Sequence, residues 1–120
     1  MKSISIILLL SFSTLFSQEK WEGLGYQKDI EETWEIELTI SDDKVYTVNY
    51  PNIPCDGIWI VRDKESNSVV LEEKIINGVE NCIDNGLIIL IKENETHMKF
   101  YVYYNIQSEE PYALGQLKKK

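Results

Sequence analysis

The chain has 120 residues, of which 20 are acidic, 12 are basic and one is histidine, and its formal net charge is −8 at pH 7. A chain of this length is enough for one domain and no more. The excess of carboxylates argues against nucleic acid and anionic lipid as partners, because both are bound mainly through lysine and arginine. We therefore expect one acidic domain whose partner is a small molecule or another protein.

Residues 1–17 are expected to be a secretory signal peptide. Lys2 gives the segment a positive start, and residues 4–16 are apolar apart from serine and threonine. This run of about 13 residues is shorter than the roughly 20 that cross a membrane as a helix, so a cleaved signal is favoured. A buried core helix is the alternative. Cleavage after Ser17 would leave residues 18–120, which contain 11 basic and 20 acidic residues and carry a net charge of −9. We expect this mature chain to lie in the periplasm or outside the cell and not to be inserted in a membrane.

Most of the remaining chain alternates apolar and polar residues with a period of two, which is typical of strands with one buried face, whereas residues 87–92 are almost entirely apolar, as in a strand covered on both sides. Trp34, Ile36, Leu38 and Ile40, for example, are separated by glutamate and threonine. Polar, glycine or proline segments separate the alternating runs. In chain order, strands are predicted over residues 21–26, 34–40, 45–50, 57–63, 69–75, 87–92, 98–104 and 112–118.

These runs predict an all-β fold, because no stretch keeps the 3.6-residue period of a helix over three turns. The connections are mostly short, which favours antiparallel pairing of consecutive strands. Closing the sheet would remove edges that are prone to aggregation. We therefore predict a small antiparallel up-and-down barrel of about eight strands in which the first strand pairs with the last. A sandwich of two sheets is the alternative.

Two cysteines, Cys55 and Cys82, follow the expected signal peptide. An even number of cysteines in an exported chain indicates a disulfide. Two free thiols that serve redox chemistry or bind a metal are the alternative, but the chain has no Cys-x-x-Cys motif and His97 is its single histidine. We expect no cofactor and no metal.

A set of spaced residues resembles a known domain. In order they are Trp21-x-Gly23, Tyr50-Pro51, Cys55-x-Gly57, Trp59, Leu71-x-Glu73-x-Ile75, Gly78, Cys82-x-Asp84-x-Gly86, Ile88-x-Leu90, Met98-x-Phe100 and Ala113-x-Gly115-x-Leu117. The pattern is similar to the small extracytoplasmic β domain that is appended to some bacterial serine/threonine kinases and occurs alone in exported bacterial proteins. The resemblance implies a barrel-like all-β fold with a cystine between Cys55 and Cys82, and it implies no catalytic activity.

Two looser resemblances concern the fold alone. A Trp-x-Gly motif that opens an eight-strand meander is similar to lipocalins and avidins. A small barrel closed by a disulfide also resembles exported bacterial inhibitors of proteases and lysozyme. The chain departs from the kinase-appended domain in the acidic segment before Trp34 and in its tyrosine-rich last hairpin.

Catalysis is not expected. His97 directly follows a polar turn, where exposure is expected, and the chain has no GxSxG, HExxH or phosphate-binding glycine motif. Neighbouring carboxylates could form a calcium site, although the alternation of Glu35 and Glu37 with apolar residues favours a solvated outer face. These carboxylates are Asp29, Glu31, Glu32, Glu35 and Glu37.

Glu73 is the principal candidate for a functional residue. It shares a strand face with Leu71 and Ile75, so it is predicted to point inward. A buried carboxylate needs a partner, and Arg62, Lys74 or a tyrosine hydroxyl are the candidates. Two roles stay open: a structural contact under the loop of Cys82, or a polar anchor at the bottom of a ligand cavity.

Four aromatic side chains complete the candidates. Trp59 is expected, with Trp34, to fill the core, and Tyr50 and Trp59 are, like Glu73, candidate binding residues. Tyr101 and Tyr103 alternate with the inward-pointing residues of their strand, so we expect them to be exposed. There they would stabilise the sheet by cross-strand packing or anchor a protein partner.

The expected function is that of an exported, non-catalytic module that binds a small or extended ligand in the mouth of the barrel. The alternative is a protein-binding accessory or an inhibitor of an extracellular hydrolase such as lysozyme or a protease. The negative charge would speed association with a basic target. A completely packed interior would exclude the first function.

Overall fold

A computed structural model of the chain describes residues 18–120, and the predicted signal peptide, residues 1–17, lies outside the described residues. The described chain forms eight antiparallel strands that close into one barrel. The strands are β1 (Glu19–Gln27), β2 (Glu32–Ile40), β3 (Val45–Tyr50), β4 (Cys55–Lys64), β5 (Ser68–Asn77), β6 (Leu87–Lys92), β7 (His97–Tyr103) and β8 (Ala113–Lys119). Residues 18–120 contain no helix that could span a lipid bilayer.

Strand pairing confirms the predicted up-and-down barrel and excludes the sandwich. Each strand pairs with the next, and β1 closes the barrel against β8 from the pair Trp21–Lys119 to the pair Gln27–Ala113. The predicted strand limits are close to those observed, although β4 and β5 extend further, to Cys55 and Asn77. The two strands stay paired through a shift of register between Asp56 and Gly57, so the glycine does not end the ladder.

The inward faces of the strands form one apolar core. Its largest fully buried side chains are Trp59, Phe100, Ile36, Leu38, Leu71, Ile88, Leu117 and Val48. Every strand contributes at least one buried side chain to this core, with Trp21 as the contribution of β1, as the period of two predicts.

Two neighbouring glycines make room for aromatic rings inside the barrel. Gly25 of β1 pairs with Trp34 on one side and with Gly115 of β8 on the other, and Gly115 in turn pairs with Phe100. A Cβ at Gly25 would overlap the indole of Trp34, and one at Gly115 would overlap the ring of Phe100. The absent side chains let the two rings approach each other to 5.9 Å between centroids.

The two ends of the barrel differ. One end, which we call the closed end, carries three short turns and both termini of the described chain, and the buried Trp21, Tyr46 and Met98 lie near it. The other end, the mouth, carries the loops 28–31, 51–54, 78–86 and 104–112. The predicted disulfide joins Cys55, the first residue of β4, to Cys82 in the 78–86 loop of the mouth.

Candidate functional site: a cavity at the barrel mouth

A cavity of about 360 Å³ opens at the mouth. This volume lies at the lower end of the range of about 300–1,000 Å³ that is usual for small-molecule sites. All four mouth loops reach it, so its walls come from every hairpin at this end of the barrel. The lining residues are Gln27, Ile30, Trp34, Tyr50, Ile53, Glu73, Glu80, Asn81, Cys82, Ile83, Val102 and Tyr112.

Glu73 is the one buried charged residue of the described chain and lies at the floor of this cavity, with 5% of its surface exposed. Its inward direction confirms the prediction from strand alternation. The hydroxyl of Tyr50 donates a hydrogen bond to Glu73 Oε2, and the indole Nε1 of Trp59 donates to the same oxygen at 2.9 Å. A tyrosine hydroxyl was among the predicted partners, and Trp59 was not.

The other two predicted partners of Glu73 were wrong. Arg62 and Lys74 lie on the outer face of the barrel and both pair with Glu72, at 2.6 Å from Arg62 Nη2 to Oε1 and at 3.2 Å from Lys74 Nζ to Oε2. The reason is again alternation: Glu72 and Lys74 flank Glu73 along β5, so their side chains point the opposite way.

The second carboxylate oxygen of Glu73 faces the cavity. Oε1 accepts no hydrogen bond from any residue of the described chain. Every fully buried polar side-chain atom within residues 18–120 has a partner, so Oε1 must keep some accessible surface. Because Glu73 lines the cavity, that surface is open to whatever occupies it.

The protonation of this group of residues follows from burial. Burial raises the pKa of the Glu73 carboxyl above its usual value, the charge of Asp84 adds to the effect, and the two donated hydrogen bonds oppose it. Burial and the charge of Glu73 raise the pKa of the Tyr50 hydroxyl well above its usual value. The pKa of Tyr112 is raised for the same two reasons. Both tyrosines therefore stay neutral, and Tyr50 remains a hydrogen-bond donor.

Aromatic rings form one wall of the cavity. Trp34 meets Tyr50 edge to face, with 5.5 Å between ring centroids. Trp34 was predicted to fill the core, but it is only half-buried, because it lies near the mouth where the cavity replaces packed neighbours. At the rim, Tyr104 stacks on Tyr112 with centroids 4.1 Å apart. Trp59 is buried as predicted.

The 78–86 loop is fixed over the cavity at several points. The disulfide holds Cys82, and Asp84 Oδ1 accepts hydrogen bonds from the backbone N–H groups of Ile75 at 2.8 Å and Asn85 at 2.9 Å. Asp84 therefore ties the loop to β5 through the backbone of Ile75. Gly78 adopts a φ of 77°, a left-handed conformation that glycine reaches without strain.

Several lining residues were not identified from the sequence as part of a site. They come from the loops and strand ends of the mouth: Gln27, Ile30, Ile53, Glu80, Asn81, Ile83, Val102 and Tyr112. In an up-and-down meander, alternate connections lie at the same end of the barrel, so the connection that carries Cys82 could have identified the other three mouth loops.

Tyr101 and Tyr103 lie away from the cavity, on the outer face of β7. Both were predicted to be exposed, but they are half-buried. The reason lies in the register: Tyr101 pairs with Ile89 on one side and with Leu114 on the other, and Leu114 pairs with Tyr26. We call these four residues, Ile89, Tyr101, Leu114 and Tyr26, the outer row.

The remaining candidates do not form a site with the cavity. His97 is exposed as predicted and contacts Thr96 and Asn94 of its own turn. Within residues 18–120, no three histidine, cysteine, aspartate or glutamate side chains are placed to share a metal ion. The carboxylates proposed for calcium are exposed or half-buried at the surface: Asp29, Glu31, Glu32, Glu35 and Glu37.

Comparison of the chain with protein-family models, with curated proteins and with solved structures finds no match.

Proposed function

We propose that this protein is an exported, non-catalytic module that binds a small ligand in the mouth of its barrel. The observation that carries the proposal is the combination of an open cavity with the free Oε1 of Glu73 at its floor. Apolar walls with a few polar groups that fix orientation are the usual composition of a small-molecule site. A carboxylate that is buried and keeps one free oxygen is such a group.

The architecture favours binding over a structural role for the cavity. Tyr50 and Trp59 hold Glu73 in one orientation before any ligand arrives, and the disulfide fixes the loop above it. Preorganised groups lower the entropy cost of binding. A purely structural contact under the Cys82 loop would need neither a free oxygen nor an open cavity.

The proposal of a non-catalytic role rests on the chemistry of the floor. Within the described chain, no serine, histidine or free cysteine lines the cavity, and Glu80 is the one other carboxylate among its lining residues. Nucleophilic catalysis needs an activated nucleophile beside a base. The export proposed here is supported by the disulfide, by the composition of residues 1–17 and by the resemblance to extracytoplasmic domains.

The test is a thermal-shift screen of the purified protein against a library of small molecules, with native mass spectrometry of the protein before and after solvent extraction. Ile53→Trp places a large ring at the cavity wall, whereas Ile106→Trp places it on another mouth loop at a residue that is 85% exposed. We expect a retained or screened ligand to stabilise the wild type and Ile106→Trp but not Ile53→Trp. Equal stabilisation of the two variants, or no ligand at all, would refute the proposal.

A second candidate function, binding to another protein, is favoured by the outer row. Its aromatic and aliphatic side chains lie side by side across four strands, and tyrosine is frequent at the energetic centre of protein interfaces. The net negative charge suits a basic target such as lysozyme. The test is inhibition of purified lysozyme and proteases by the wild type and by Tyr101→Ala, with Lys99→Ala as the control on the same face of β7. Inhibition that both variants keep in full would exclude the outer row.

A further inference from the structure

The charges around the cavity are predominantly negative. The four mouth loops contain six acidic residues and one lysine, a net charge of −5. Within the described chain, no lysine, arginine or histidine lines the cavity, whereas Glu73 lies at its floor and Glu80 among its other lining residues. Low-dielectric walls focus such a field into a cleft, so it attracts cations and repels anions.

The floor of the cavity offers a ligand a hydrogen-bond acceptor, Oε1 of Glu73. Glu73 Oε2 already accepts two hydrogen bonds, from Tyr50 and Trp59, so a ligand meets Oε1, which can only accept while the carboxyl is ionised. The basic side chain nearest in sequence, Lys74, points to the outer face and pairs with Glu72. The buried charge therefore has donors but no counter-ion among the described residues.

The walls of the cavity can contact both the apolar part of a ligand and an organic cation. Trp34, Tyr50 and Tyr112 contribute aromatic rings, and Ile53 and Ile83 contribute aliphatic surface. An organic cation near an aromatic face gains attraction from the ring quadrupole, and more so when it is desolvated. A ligand rich in hydroxyl groups would instead leave many of them unsatisfied against these walls.

We propose that the ligand of the mouth cavity is a small organic cation, an amine or guanidinium on an apolar body, whose charged end pairs with Oε1 of Glu73. The inference rests on the proposed function and specifies its ligand class. The cation supplies the counter-ion that the buried carboxylate lacks, and the charge-assisted hydrogen bond to Oε1 fixes the orientation of the ligand. The acidic loops guide the cation to the mouth.

The experiment compares three probes of similar shape by calorimetry at neutral pH: 2-phenylethylamine, 2-phenylethanol and phenylacetate. We expect the amine to bind at least about tenfold more tightly than the alcohol, a difference of about one charge-assisted hydrogen bond, and the anion not to bind at millimolar concentration. Glu73→Gln should reduce the affinity for the amine at least about tenfold and leave that for the alcohol little changed. Glu72→Gln, one residue away on the outer face, is the matched control and should bind like the wild type.

The pH dependence in wild-type protein provides a readout that does not depend on the folding of a variant. Affinity for the amine should fall as the pH falls through the pKa of Glu73, because protonation removes the charge that it pairs with. The groups that face or influence this carboxyl are Tyr50 from β3, Trp59 from β4, and Asp84 and Tyr112 from the mouth loops, and Glu80 is a second carboxylate that lines the same cavity. The two tyrosines do not titrate in this range, since both have raised pKa values.

The outcomes separate this inference from the proposed function. If neutral or anionic compounds bind in the cavity as tightly as the amine, or if Glu73→Gln binds the amine unchanged, the cation assignment fails while ligand binding stands. If the amine does not bind but library compounds still stabilise the wild type more than Ile53→Trp, the assignment fails alone. If no compound of any charge binds, both fail together.

Discussion

Removal of the Tyr50 hydroxyl tests how firmly the floor of the cavity depends on the donors to Glu73. Tyr50→Phe keeps the ring that meets Trp34 and deletes one of the two hydrogen bonds to Oε2. A hydrogen bond to a charged group contributes about 1.5–3 kcal/mol, and the loss leaves a buried carboxylate with the single donor of Trp59. At a pH where Glu73 is ionised, we expect the free energy of unfolding to fall by about 2 kcal/mol.

This loss should depend on pH in a defined direction. Burial raises the pKa of Glu73 in the folded protein, so the folded state binds this proton more tightly than the unfolded state. The stability contributed by the proton is complete below the unfolded pKa of about 4.3 and is lost as the pH rises through the folded pKa. Deleting a donor that favours the carboxylate raises the folded pKa further. At pH values above the folded pKa, Tyr50→Phe should therefore lower the free energy of unfolding by about 2 kcal/mol. At pH values below it, the loss should be about 1 kcal/mol, which is the value of a hydrogen bond between neutral groups.

The assay is urea unfolding followed by tryptophan fluorescence at several pH values, with thermal unfolding in parallel. For a domain of this size, 2 kcal/mol corresponds to a fall in Tm of roughly 8–16 °C. Tyr112→Phe is the control, because Tyr112 lines the same cavity and its hydroxyl makes no hydrogen bond to a described residue. A loss below about 0.5 kcal/mol for Tyr50→Phe at neutral pH, or an equal loss for the control, would refute the role assigned to this hydroxyl.

Three further changes test other parts of the barrel by the same unfolding assay. Replacing Cys55 and Cys82 with serine should lower the free energy of unfolding by about 3.6 kcal/mol in the entropic model and weaken ligand binding, and an unchanged midpoint would contradict this. Gly25→Ala should cost about 1–3 kcal/mol by overpacking against Trp34, with a change in tryptophan emission, and a silent substitution would show that the contact has space to relax. Glu72→Gln should lower the free energy of unfolding by less than about 1 kcal/mol, because its ion pairs with Arg62 and Lys74 lie at the surface. A larger loss would contradict the small contribution expected of exposed ion pairs.

Much of the fold follows from side-chain alternation and turn residues. The predicted limits of β3 and β6 agree with the structure, because polar, glycine or proline segments end both runs on either side. The start of β4 was predicted two residues late, at Gly57 rather than Cys55. A glycine in a strand weakens it without ending it when the partner strand continues, and here Asp56 pairs with Asn77.

The site was harder to predict, for a physical reason. Alternation determines whether a side chain points inward, and Glu73 was placed correctly by that rule. Depth along the barrel depends on the stagger between strands, which alternation does not encode. Trp34 and Trp59 both point inward, but Trp34 lies at the cavity and Trp59 in the packed core. For the same reason the sequence did not single out Trp59 as a donor to Glu73.

The position of the two termini bears on how the protein can be handled. Lys119 pairs with Trp21, and the backbone N–H of Lys120 donates to the carbonyl of Lys20 at 2.9 Å, so both ends of the described chain leave the barrel side by side, opposite the mouth. An affinity tag, a fluorescent reporter or a sensor surface attached there would point away from the opening. Immobilised protein should therefore keep its binding site accessible to solutes in flow.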